Sequence, residues 1–237
     1  MRPHRPSLTS VASLGLLLAT VAGCALSHGV RPVGKDKLAL DASLGGPVAD
    51  YMGGKKPLPL TMVGLTYGRS DQTNLHGGIY PSTLAMFGLV GGEFGVSHLI
   101  LEPDGVQPAV MVDGTMIVLA GDLAKGPPVG AVVPYVQTSM MASWAYGDRG
   151  HLIYTGPEFL TLGFTVLGIG LKFLEATHPG WTIGHRLNAG QWGVGTELGW
   201  MAPQWDNSSG VVEYVGIAGR GAVTVNVGVT VALGGKQ

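Results

Sequence analysis

Residues 222–233 alternate without interruption. Val223, Val225, Val227, Val229, Val231 and Leu233 fall on one parity, and Ala222, Thr224, Asn226, Gly228, Thr230 and Ala232 on the other. A period of two places successive side chains on opposite faces of a strand, so this segment has one aliphatic face and one small polar face. Residues 191–200 repeat the pattern, with Trp192, Val194, Thr196, Leu198 and Trp200 opposite Gln191, Gly193, Gly195, Glu197 and Gly199. In 165–173 the large face is Leu167, Ile169, Leu171 and Phe173, against Gly168, Gly170 and Lys172. Residues 132–146 set Val132, Val136, Met140, Trp144 and Tyr146 against Gln137, Ser139 and Ser143. Val110, Val112, Met116 and Val118 oppose Asp113 and Thr115, and Val63, Leu65 and Tyr67 oppose Gly64, Thr66 and Gly68.

Turn signals separate these runs: Glu102-Pro103-Asp104-Gly105, Lys125-Gly126-Pro127-Pro128, Gly147-Asp148-Arg149-Gly150, His178-Pro179-Gly180 and Asp206-Asn207-Ser208-Ser209-Gly210. The count predicts an all-β chain, a single antiparallel β-barrel of eight to ten strands, many of them about ten residues long. That length suits strands that cross a bilayer.

Composition decides which way the barrel faces. Only 12% of residues are charged, the mean hydropathy is positive, and 40 of 237 residues are glycine. Soluble domains carry about 25% charge. The polar faces here are Gly, Ser, Thr, Asn and Gln, where a water-facing surface would carry Lys and Glu. Small polar residues suit the interior of a narrow barrel. The scattered glycines also argue against long helices. Beyond the first residues no apolar run of 18 occurs, so no transmembrane helix is expected.

The beginning of the chain has a different form. Arg2 and Arg5 precede an apolar stretch from 11 to 21, which ends in Val21-Ala22-Gly23-Cys24, the site of the sole cysteine. This resembles the lipobox of bacterial lipoprotein precursors. The resemblance implies a signal peptide over 1–23, cleavage, and a covalent lipid on Cys24. Ala25, in place of Asp, implies delivery to the outer membrane. Residues 24–36, polar with Pro32, read as a lipidated tether, and 37–237 as the barrel. With Cys24 committed to lipid, no thiol is left for disulfides or catalysis.

The barrel itself resembles small outer-membrane β-barrels of Gram-negative bacteria, which implies aromatic girdles at the two interfaces. Trp144, Tyr146, Trp192 and Trp200 are the candidates. The chain ends Leu233-Gly234-Gly235-Lys236-Gln237, without the terminal aromatic common in that family, and aromatic content is 7%.

Candidate chemistry is sparse. Glu93, Asp113, Lys172 and Glu197 lie on small polar faces, so each is a candidate interior charge. An unpaired charge in a narrow lumen is costly, so Lys172 is expected to pair with one of the carboxylates. Ser97 and His98 are adjacent in a strand and point to opposite faces, which excludes a nucleophile–base pair. The histidines show no metal-ligand spacing. Without Arg2 and Arg5, 12 basic residues face 15 acidic ones, and no basic stripe points to nucleic acid. The expected partners are membrane lipids and the lipoprotein-processing and outer-membrane assembly machineries, with no cofactor beyond the lipid on Cys24. The function that asks for nothing the sequence lacks is a non-catalytic, lipid-anchored outer-membrane barrel with a structural, adhesive or narrow-pore role. Two alternatives are a lipid-anchored periplasmic lipocalin-like barrel with an apolar ligand, and a barrel enzyme acting on envelope lipids.

Overall fold

A computed structural model describes residues 30–51, 53–121, 131–162, 177–206 and 213–233. Its strands are β1 (Leu38–Tyr51), β2 (Gly54–Pro57), β3 (Leu60–Gly68), β4 (Thr73–Ile79), β5 (Leu89–Leu101), β6 (Ala109–Gly121), β7 (Ala131–Tyr146), β8 (His151–Leu162), β9 (Thr177–Ala189), β10 (Trp192–Asp206) and β11 (Arg220–Leu233), with one helix, α1 (Pro81–Phe87). Each of β3 to β10 pairs antiparallel with the next, β1 pairs with β3, and β11 returns to β1 from Leu38↔Leu233 to Pro47↔Thr224. The result is a closed ten-strand antiparallel barrel. The short β2 lies outside the ring and pairs only with the last residues of β1.

The ring is strongly staggered. From the bond of the Gly68 amide to the Lys37 carbonyl, the hydrogen-bonded path runs through Asn74, Ser97, Asp113, Ser139, Glu158, Gly180, Met201 and Ala222. It returns to β1 about twelve residues beyond its start, which for ten strands corresponds to a tilt of about 40°. The start of β1, Leu38, and the end of β11, Leu233, lie at one rim, together with the turns at 69–72, 102–108, 147–150 and 190–191. This is the entry rim. The connections at the far rim are longer.

Alternation along the strands matches the barrel wall. Thr224 and Asn226 face inward at 3% and 4% exposure, whereas Val227 and Leu233 face outward at 46% and 44%. The valine face of β11 therefore points away from the lumen. The lumen is not uniformly small and polar: Met111, Ile117 and Leu119 on β6 also point inward, with Leu60, Leu89, Tyr135 and Leu160 around them, all buried.

α1 folds across the far rim. Pro81 suits the first turn of a helix, and Gly88, at φ 68°, ends it in the left-handed conformation while donating to Leu84 O. Ser82 and Thr61 exchange hydrogen bonds, Thr61 N to Ser82 Oγ at 2.7 Å and Ser82 N to Thr61 Oγ1 at 3.2 Å. Thr83, fully buried, shares its one hydroxyl proton between the carbonyls of Tyr80 and Leu89, at 2.7 and 2.8 Å.

One turn expectation is overturned. His178-Pro179-Gly180 lies inside β9, paired with Leu160, Phe159 and Glu158 of β8. Pairing with β10 begins only at Gly180, so Pro179 occupies a stretch with a partner on one side, where a missing N–H costs no ladder bond. The turn signals at 102–105 and 147–150 coincide with observed turns. Lys125 to Pro128, Asn207 to Gly210 and the strand expected over 165–173 lie outside the described residues.

Candidate functional site

Two surfaces can carry function, the outer wall and the lumen. Between the rims, the outward positions of the described strands carry no Asp, Glu, Lys or Arg. They are instead large and apolar: Phe94 is 60% exposed, Leu198 55%, Ile183 53% and Leu65 51%. Ten residues separate Val223 from Leu233. At a tilt of about 40° that spans about 25 Å along the axis, the height of the apolar band of a membrane barrel. The charged residues of the described loops gather at the rims, with Asp36, Arg69, Asp71, Glu102, Asp148 and Arg149 at the entry end and Asp50, Lys55, Lys56 and Arg220 at the far end.

The four aromatic candidates all point outward. Trp144 and Tyr146 lie at the end of β7 and Trp192 at the start of β10, so all three are at the entry rim. Trp200 stands eight residues further along β10, paired across the ladder with Trp181. That places a second aromatic level about 20 Å away along the axis. Trp200 donates to Arg220 O at 3.0 Å, Trp181 to Thr155 Oγ1 at 2.8 Å, and Trp144 to Val106 O at 3.2 Å. Tyr146 stacks on His185, hydrogen-bonds its Nε2, and also meets the ring of His151. Trp181 was not singled out by the sequence reading, and its shared parity with Ile183 and Leu187 on β9 is the signal for it.

Inside, Glu93, Asp113 and Glu197 all face the lumen, each with its own partner. Tyr80 donates to the Glu93 carboxylate, Thr115 to Asp113 at 2.7 Å, and Tyr154 to Glu197 at 2.7 Å. His76 adds contacts with Thr115 at 2.9 Å and with Asp113 at 3.6 Å. Lys172 lies outside the described residues, as does Cys24. The sequence reading passed over Asp41, which accepts from Thr66 and Thr230 at 2.7 Å each, and Arg186, which also faces inward. Parity again marks Arg186, since it shares a face with Thr182, Gly184 and Asn188.

Inward glycines provide room for these groups. A Cβ on Gly184 would lie 2.2 Å from the Tyr154 ring, one on Gly95 2.4 Å from His76 Nε2, and one on Gly193 2.5 Å from Arg186 Nε. Large polar side chains thus lie across bare backbone of neighbouring strands, which is how a ten-strand lumen accommodates them.

Residues 30–36, part of the stretch read as a tether, run inside the entry rim as a strap. Val30 is buried against Leu152 and Tyr154. Ser143 Oγ donates to Val30 O, and Arg31 Nη2 donates to Ser143 O, each at 3.2 Å. Asn74 accepts from Val33 N at 3.0 Å and donates to Arg31 O at 3.4 Å and to Ser97 Oγ at 3.3 Å. Lys35 N donates to Asp71 Oδ1 at 3.1 Å, and Asp36 N to Gly68 O at 2.8 Å. Burial lowers the pKa of the Arg31 guanidinium from its ordinary value.

Ser97 is buried in the lumen, while His98 faces out and meets Thr73 Oγ1 at 2.9 Å. Among the described residues, no group of three or more His, Cys, Asp or Glu side chains is arranged to hold a metal.

No protein-family model matches the chain, and no curated protein matches it in sequence. Among solved structures, the translocator domain of the autotransporter NalP from Neisseria meningitidis is similar, at 12% identity over 94% of this chain and 97% of that chain, with a TM-score of 0.45.

Proposed function

We propose that the chain is a lipid-bearing outer-membrane barrel that crosses the bilayer with its ten strands and acts through its rims rather than by catalysis. The observation that carries this reading is the uncharged apolar belt about 25 Å tall, with charges confined to rims and lumen. A soluble lipocalin-like barrel needs the reverse arrangement, with apolar residues within and charge outside, so the belt weighs against that alternative. The lumen favours a structural or adhesive role over a pore. Among the described residues it is occupied by the strap at one end and by Leu60, Leu89, Leu119, Tyr135 and Leu160 at the other. Among the described residues, the far rim offers 53–59, α1 and 213–219 to a partner, with Lys55, Lys56, Leu84 and Ile217 exposed. Lipidation at Cys24 rests on the lipobox resemblance and supplies a second attachment to the membrane.

Carbonate extraction of isolated membranes tests the two parts separately. Wild type and Cys24→Ser should both stay in the pellet, and labelled palmitate should enter wild type alone. Release of Cys24→Ser into the supernatant overturns the spanning barrel. Absence of label in wild type removes the lipid and leaves the barrel standing. A charge in the belt supplies an independent check: Val227→Arg should cost about 2–4 kcal/mol of folding stability in vesicles, the penalty for Arg near the bilayer midplane.

A further inference from the structure

A cavity of about 60 Å³ lies between the strap and the barrel wall, lined by Arg31, Asp41, Thr66, Asn74, Tyr154 and Arg186 among others. Its electrostatics are unbalanced. The Arg186 guanidinium has no hydrogen bond or ion pair among the described residues, and the Nε atoms of Arg186 and Arg31 are buried without an acceptor. Asp41 is the carboxylate on the cavity wall, and its two oxygens take the hydroxyls of Thr66 and Thr230. It acts on Arg186 across the cavity, not in contact. Glu197 stands behind Tyr154, whose hydroxyl it accepts. The cavity wall therefore presents two guanidiniums and one carboxylate, an excess of one positive charge. A guanidinium enclosed in a lumen without a carboxylate in contact is costly, and its donors bind anions with charge-assisted hydrogen bonds.

We propose that this cavity binds one small monovalent anion, a halide or a small carboxylate, between Arg186 and Arg31, and that the anion fastens the strap to the wall. The cavity has room for such an ion between the strap and the wall. The site joins β9 to the strap, so occupancy should be read in the stability of the folded barrel.

The test uses the full-length protein in detergent, melted in sodium gluconate, chloride or formate at matched ionic strength and followed by the heat-dependent gel shift of folded barrels. Chloride, formate or both should raise the melting midpoint relative to gluconate, and which of them does so identifies a halide or a carboxylate site. Arg186→Gln should abolish the difference. Asp41→Asn removes the competing negative charge and should lower the half-maximal anion concentration severalfold. The opposing arrangement is a water-bridged Arg186–Asp41 pair. Its signature is a wild-type midpoint indifferent to the anion, with Asp41→Asn less stable in every salt, and that result overturns the proposal. Should either variant fail to fold, a bromide soak of wild-type crystals decides. An anomalous peak within hydrogen-bond distance of both guanidiniums supports the site, and water alone at that position after both the bromide soak and a parallel formate soak overturns it.

Discussion

The two ends of the lumen are filled by opposite means. At the far rim, Leu60, Leu89, Leu119 and Leu160 pack with Tyr80 and Tyr135, and Leu119, Thr83 and Tyr80 converge over Gly91, whose missing Cβ would come within 2.8–3.1 Å of them. At the entry rim the strap is held mainly by hydrogen bonds to Asn74 and Ser143, with Val30 its buried apolar contact. Apolar packing gains roughly in proportion to area and tolerates small shifts. A hydrogen-bonded strap needs each donor and acceptor in place but gives up only about 0.5–1.5 kcal/mol per bond. The far end is thus built to stay shut, and the entry end to be specific at modest strength.

Unfolding in vesicles, followed by tryptophan fluorescence, puts this contrast in order. The largest loss is expected for Leu119→Ala, about 2–5 kcal/mol, because the barrel wall cannot collapse into the cavity left behind. Gly184→Val should follow at about 1–3 kcal/mol, since the new side chain competes with the Tyr154 ring and displaces its bond to Glu197. Asn74→Ala should cost about 1–2 kcal/mol by leaving Val33 N and Arg31 O without their partner. It should also open the strap to trypsin after Lys35, Arg31 being protected by Pro32, while the barrel keeps its heat-dependent gel shift. Ser143→Ala is the mildest, about 0.5–1.5 kcal/mol, because Arg31 still donates to the main-chain carbonyl of residue 143. A larger loss from Asn74→Ala than from Leu119→Ala would invert the comparison.

The strands that alternate cleanly were legible in the sequence. β10 and β11 have unbroken parity, and the ladder Trp192↔Val231 to Met201↔Ala222 joins them in that register. β4 was not legible, because Gly78 leaves its inward set as Asn74 and His76 alone and Gly77 interrupts its outward face. α1 covers only 81–87, too short for a helical period to declare itself. The residues at 178–180 read as a turn because Pro-Gly is a local signal, whereas the one-sided pairing that tolerates Pro179 belongs to the tertiary structure. The strap misled for the same reason: a polar segment with a proline has a tether's composition whether it hangs free or lies in a lumen. Of the candidate sites, the inward acids could be placed by parity. Parity also places Thr115 beside Asp113, but not the other partners, because Tyr154 reaches Glu197 from β8, two strands away, and Tyr80 reaches Glu93 from the connection before α1.

The seam between β1 and β11 bears on the order of events. Thr230 bonds Asp41 across 189 residues of sequence, and the whole β1–β11 ladder is of this long-range kind. Every other ring pairing except β1–β3 joins strands consecutive in the chain, so the sheet can grow by hairpins as the chain becomes available. The circle cannot close until the last strand arrives. Until then both β1 and β10 present bare edges, each a template for a neighbouring chain. Closure is therefore a late, topologically distant step, and a chain truncated before residue 220 should be a nine-strand sheet prone to self-association.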